Sequence, residues 1–111
     1  MALMSLTLTY AENDNAASKL NAEAYDMTVN MRKLAVTLGM TIEQMEIVED
    51  IHRNFCNEMM QAAEADENER GELVDKAVKK DIRYMNYVLN DSQQRKYEML
   101  LNATLQNRGL K

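Results

Sequence analysis

Apolar residues recur at helical spacing along most of this chain. Ala17, Leu20, Ala24, Met27, Met31, Leu34 and Leu38 alternate steps of three and four. That spacing predicts a heptad-like seam on a first helix, capped at Asn13 or Asp14 and running to about residue 38. Gly39 comes next, where a left-handed residue would end it. A second helix is predicted over residues 41–65, its stripe formed by Ile42, Met45, Val48, Ile51, Phe55, Met59 and Ala62. Ile47, Cys56, Met60 and Ala63 widen that stripe. At about 1.5 Å per residue this helix is roughly 37 Å long, which suggests an open or dimeric arrangement more than a compact bundle. The polar stretch 66–71 interrupts the pattern, and Asp66 with Glu69, or Asn68 alone, can cap a third helix. That helix carries Val74, Val78, Ile82, Met85 and Leu89, flanked by Leu73, Ala77, Tyr84 and Val88. A fourth begins near Asn90, buries Tyr97, Leu100, Leu101, Thr104 and Leu105, and ends near Gly109. The pattern predicts an all-α fold of about four helices.

Two of the helix starts share a form. Met40-Thr41-Ile42-Glu43-Gln44 and Leu89-Asn90-Asp91-Ser92-Gln93 each place an apolar residue, a small polar cap, two spacers and a Gln. Thr41 can accept from the backbone N–H of Gln44, while the Gln44 side chain reaches back to the Thr41 N–H. Met40 and Met45 are placed to staple the chain across that cap. The copy at Asn90 and Gln93 is weaker, because Gln94 stands where the second staple residue belongs. A long helical hairpin lies between the copies.

Composition supports the helical reading. The chain of 111 residues has no Pro and three Gly, which allows one domain built from helix-forming residues. A net charge of −5, without a basic stripe interleaved with aromatics, argues against a nucleic-acid binder. No apolar run approaches the roughly 20 residues that span a bilayer. Cys56 is the one cysteine, so the chain forms no internal disulfide. Charge is uneven: residues 41–69 hold nine acids and one base, residues 70–96 seven bases and four acids. A hairpin with one acidic and one basic limb attracts itself, or an antiparallel copy. The bland reading is two solvated faces, because exposed pairs contribute little.

Residues 1–12 differ from the rest. Ala2-Leu3-Met4-Ser5-Leu6-Thr7-Leu8 is apolar and small, and a polar run begins at Glu12. This reads as the latter half of a secretory signal peptide lacking its basic region, with Thr9-Tyr10-Ala11 as the cleavage site. The alternative is a short strand or a frayed tail. Residues 13–111 then form a single helical domain.

Candidate chemistry is sparse. Glu49, His52 and Cys56 fall on one side of the second helix at metal-ligand spacing, with Met45 and Met59 nearby. No second His or Cys completes a site, and one helix does not enclose a metal. A core thiol and a boundary imidazole account for the pair more simply. Cys56 with His52 lacks an orienting third group or an oxyanion turn, and the carboxylates lie on solvated faces. Without a phosphate loop or dinucleotide fingerprint, nothing points to an enzyme or a cofactor. Ten methionines are unusual, and Met-rich surfaces adapt to varied apolar partners. Helical spacing already explains Met27, Met31, Met45, Met59 and Met85 as core. Met60 and Met99 are the better candidates for exposed contact.

The paired helix starts resemble the repeated L-T-x-x-Q motifs of the Spy/CpxP family of periplasmic stress proteins. Here Met replaces Leu in the first copy and Asn replaces Thr in the second. Ile47, Ile51 and Met59 after the first motif, and Ile82, Met85 and Val88 before the second, extend the likeness over roughly residues 39–108. The resemblance implies a small all-helical protein forming an antiparallel, cradle-shaped homodimer in the periplasm or cell envelope. It also implies ATP-independent chaperoning of unfolded clients, restraint of a stress-sensor kinase, or metal sensing. Lys76, Lys79, Lys80 and Arg83 would then serve a client surface, helped by Met60 and Met99. The short loop after the second helix and the acidic balance depart from that family. The expectation is a non-enzymatic envelope protein that binds protein partners. The alternatives are a metal-responsive sensor domain using Glu49, His52 and Cys56, and a purely structural dimerisation module.

Overall fold

The computed structural model describes residues 22–111, and every regular element among them is α-helical. Helix α1 spans Met31–Leu38, α2 Ile42–Glu64, α3 Glu67–Val88 and α4 Asp91–Asn107. The signal-like segment and the first half of the predicted seam, with its caps at Asn13 or Asp14, lie outside the described residues.

The core is a hairpin of α2 and α3 with α4 folded back along one face. Val48, Phe55, Met59 and Ala62 of α2 meet Val74, Ala77, Val78 and Met85 of α3, and Tyr97, Leu101 and Leu105 of α4 close over them. The hairpin turn is tighter than the polar break at 66–71 suggests. Only Ala65 and Asp66 lie outside the helices, so Gly71 falls within α3. Asp66 is the N-cap of α3 but makes no side-chain capping bond. Arg70 instead reaches back, its Nε donating to the Ala65 carbonyl at 2.9 Å, which satisfies an orphan acceptor at the end of α2. Gly39 (φ 69°) and Gly109 (φ 73°) end α1 and α4 in the left-handed region, as their positions predict.

The predicted first helix is not continuous. Ala24, Met27, Met31, Leu34 and Leu38 keep their seam spacing, and Met27 and Leu38 are buried. Between Ala24 and Met31, however, the backbone leaves the helix. Local polar side chains explain the break. The Asp26 carboxylate accepts from the Thr28 N–H at 3.0 Å and the Thr28 hydroxyl at 2.8 Å. Asn30 then caps α1 by accepting from the Lys33 N–H at 3.1 Å. Such side chains offer the backbone partners that a helix cannot. Residues 25–30 form a strap laid across α2 and the end of α4.

Five stripe assignments also shift, those of Met60 and Tyr84 among them, each 39% exposed. Ile42 is 74% exposed, because six residues before Val48 lies about 120° round the helix from the stripe's centre. Ile47 is exposed beside Val48, and Leu100 is exposed while its neighbour Leu101 takes the buried position.

Candidate functional site

The two capping motifs form one structure. Both boxes are complete: Thr41 Oγ1 accepts from the Gln44 N–H at 3.0 Å and Gln44 Oε1 from the Thr41 N–H at 2.9 Å. Asn90 Oδ1 accepts from the Gln93 N–H at 2.8 Å and Gln93 Oε1 from the Asn90 N–H at 3.0 Å. The glutamines then cross. Gln44 Nε2 donates to Gln93 Oε1 at 2.9 Å and to the Val88 carbonyl at 3.0 Å. Gln93 Nε2 donates to Gln44 Oε1 at 3.1 Å and to the Gly39 carbonyl at 3.0 Å. Each amide thus serves its own cap, its twin, and the carbonyl two residues ahead of the other motif's cap. The arrangement is a local pseudo-twofold that ties the start of α2 to the start of α4. Its chemistry is structural, since both side-chain amides are fully engaged. The copy at Asn90, weaker by sequence, closes fully. Gln94, in place of a staple residue, is buried and donates from Nε2 to the Ile82 carbonyl at 3.2 Å and to Glu98 at 3.0 Å.

The basic residues of α3 divide. Lys76 and Lys80 line a groove of about 330 Å³ between α2 and α3 with Glu58, Gln61, Leu73 and Ala77. Lys80 pairs with Glu58 at 2.9 Å across the hairpin, which raises the Lys80 pKa. Lys80 and Arg83 approach the Tyr84 ring at 5.8 and 5.5 Å, a cation–π arrangement. Lys79 lies outside this lining and pairs with Asp75 at 2.9 Å, while Lys76 pairs with Glu72 at 3.3 Å. Both i,i+4 pairs stand as their spacing predicts. Met60 on α2 and Met99 on α4 are exposed, and neither lines the groove.

Glu49, His52 and Cys56 do share a surface, a groove of about 400 Å³ with Thr28, Val29, Met31, Arg53 and Asn57. One imidazole nitrogen is engaged there and the thiol is protonated. His52 Nε2 lies 2.7 Å from the Met27 carbonyl, which only accepts, so Nε2 carries the proton. Burial lowers the His52 pKa against the opposing effect of that carbonyl, which keeps the ring neutral. Burial, then Asp26 and Asp81, raise the Cys56 pKa, so the thiol stays protonated. Among the described residues no three His, Cys, Asp or Glu side chains converge as metal ligands.

Sequence reasoning missed the buried carboxylate. Asp81 is 2% exposed on the core face of α3 and accepts a short hydrogen bond from the Tyr97 hydroxyl through Oδ2. Oδ1 has no partner among the described residues. Burial raises the Asp81 pKa to about 6, opposed by the Tyr97 bond and aided by Glu58. The Tyr97 pKa is raised by burial and by Asp81. The signal was present, because Asp81 falls three residues after Val78 and four before Met85, on the stripe itself. Arg108 was also missed. Its Nη1 donates to carbonyls of the chain entering the strap: Glu23 at 3.5 Å, Ala24 at 3.3 Å, and Asp26.

Compared with family models, with curated proteins and with solved structures, the chain matches none.

Proposed function

We propose that the chain is a non-enzymatic protein of the cell envelope that binds unfolded or regulatory protein partners, as its resemblance to the Spy/CpxP family implies. The observation that carries this reading is the α2/α3 groove. Leu73 and Ala77 give it an apolar floor, and Lys76 and Lys80 stand on its rim with Glu58 and Gln61, Tyr84 lying near Lys80 and Arg83. On a chain of net charge −5 this groove joins apolar residues to two lysines, paired with Glu72 and Glu58, that an acidic and apolar segment of another polypeptide would engage in their place. Exposed apolar residues supply further adaptable contact, among them Tyr87 at 78% and Met99 at 71%. The acidic balance of residues 41–69 against the basic balance of residues 70–96 also favours pairing with an antiparallel copy, so a homodimer is part of the reading.

The test is suppression of aggregation of a reduced or heat-denatured client without ATP. Suppression at a few-fold molar excess is expected, and none at several-fold excess sinks the chaperone reading. Lys76→Glu with Lys80→Glu should weaken suppression severalfold. It should change thermal stability little, because both lysines sit in exposed or half-exposed pairs.

A further inference from the structure

The body of the protein holds the strap at residues 25–30 in an unusual way. Among the described residues, the side chains of α2 and of the C-cap of α4 that bond to this stretch and its approach reach only main-chain carbonyls. His52 takes that of Met27, and Arg108 takes those of Glu23, Ala24 and Asp26. The polar side chains of the strap bond within it or to α1: Asp26 with Thr28, and Asn30 with the Lys33 N–H. Met27 is buried and Tyr25 half-buried against the core, while Asp26, Thr28, Val29 and Asn30 are exposed. Met27 and Val29 of the strap share a small apolar pocket with Leu34, Phe55, Tyr97 and Leu101. Carbonyl recognition with Met27 as the one buried side chain reads backbone shape more than sequence. Met is also the side chain that fills an irregular pocket most adaptably. The strap's apolar spacing, moreover, continues the helical seam from Ala24 through Met27 to Met31. The seam spacing and the local bonds of Asp26 and Asn30 thus favour different conformations, and docking on α2 and α4 goes with the non-helical one.

We propose that the strap is an intramolecular ligand, and that the cleft it fills between α2 and α4 accepts an extended segment of another polypeptide carrying one apolar side chain. Its carbonyls would meet His52 and Arg108, and its apolar side chain would replace Met27. The cleft is separate from the Lys76–Lys80 groove, and it rests on the partner-binding reading only for its biological use. Because an occupied cleft is closed to other ligands, the apparent affinity for an incoming segment is reduced by the fraction of molecules with the strap displaced.

A fluorescein-labelled peptide with the sequence of residues 22–30 tests this by anisotropy on the full chain. Met27→Asp expels the plug, so peptide affinity should rise at least about tenfold over the unmodified chain, in proportion to the open fraction. Adding Arg108→Ala should reverse that gain, and a peptide carrying Asp in place of its Met should not bind. Should Met27→Asp fail to fold, the unmodified chain still answers. Excess peptide should accelerate hydrogen exchange of the strap amides while α2 and α3 stay protected. Absence of binding to folded Met27→Asp, or unchanged strap exchange under millimolar peptide, overturns the proposal. Peptide capture without aggregation suppression would instead sink the chaperone reading alone.

Discussion

At the scale of single residues, Asp81 is the most consequential side chain. A carboxylate 2% exposed has exchanged water for one Tyr97 hydroxyl, so its charged form is the costly one. Its folded pKa, about 6, lies above the ordinary 3.8, so the folded state holds the extra proton between those values. Stability from this group is therefore full below about pH 4 and is lost as pH rises to about 6, a change of about 3 kcal/mol. Asp81→Asn should be more stable than the unmodified chain at pH 7.5. The difference between the two should shrink as pH falls to 4, as urea unfolding at several pH values would show. A constant difference would mean that the charge is already neutralised. Asp26 contributes with the opposite sign, since bonds from Thr28 lower its pKa, and comparing variant with parent cancels it. The stripe of α3 was legible from spacing, and Asp81's place on it was equally visible. What spacing could not show is that α4 would cover that face with Tyr97.

At the scale of elements, each capping box was legible because it is written over four consecutive residues. Their union was not, because Gln44 and Gln93 are 49 residues apart and nothing local relates them. The break at residues 25–30 failed for the converse reason. Seam spacing describes one face of a helix, while Asp26, Thr28 and Asn30 set the backbone, and Arg108 arrives from 82 residues away. The cross-paired amides give a quantitative expectation. Thr41→Ala should cost about 1 kcal/mol by loss of one cap. Gln44→Ala should cost about 2–3 kcal/mol, because it also leaves the Val88 carbonyl and half of the Gln93 amide unpaired. Gln44→Ala with Gln93→Ala should cost less than the sum by about 1 kcal/mol, since the second change removes bonds already broken. Additive losses in chemical unfolding would show that the two boxes act independently.

At the scale of the whole molecule, the described residues form a rod of 51 × 27 × 21 Å with a radius of gyration of 16.5 Å. Compact chains of about 100 residues have a radius near 13 Å. The long second helix announced this shape, because an element of 23 residues sets a minimum length that the other helices can only match. One face of the hairpin is roofed by α4, and the other carries the Lys76–Lys80 groove.

The crossed glutamines also bear on the order in which the chain folds. Their amides meet only after α2 and α3 have folded back and α4 has turned, so they close a long loop whose entropy must first be overcome. The α2/α3 hairpin, built from near neighbours, can assemble before them. Substitutions at Gln44 or Gln93 should therefore accelerate unfolding and leave the folding rate almost unchanged, the signature of contacts made after the transition state. Stopped-flow chevrons in which the folding limb slows instead would place the pairing of the two motifs at the start of folding. In kinetic terms, the crossing then acts as the last closure, setting how long the native state persists once formed.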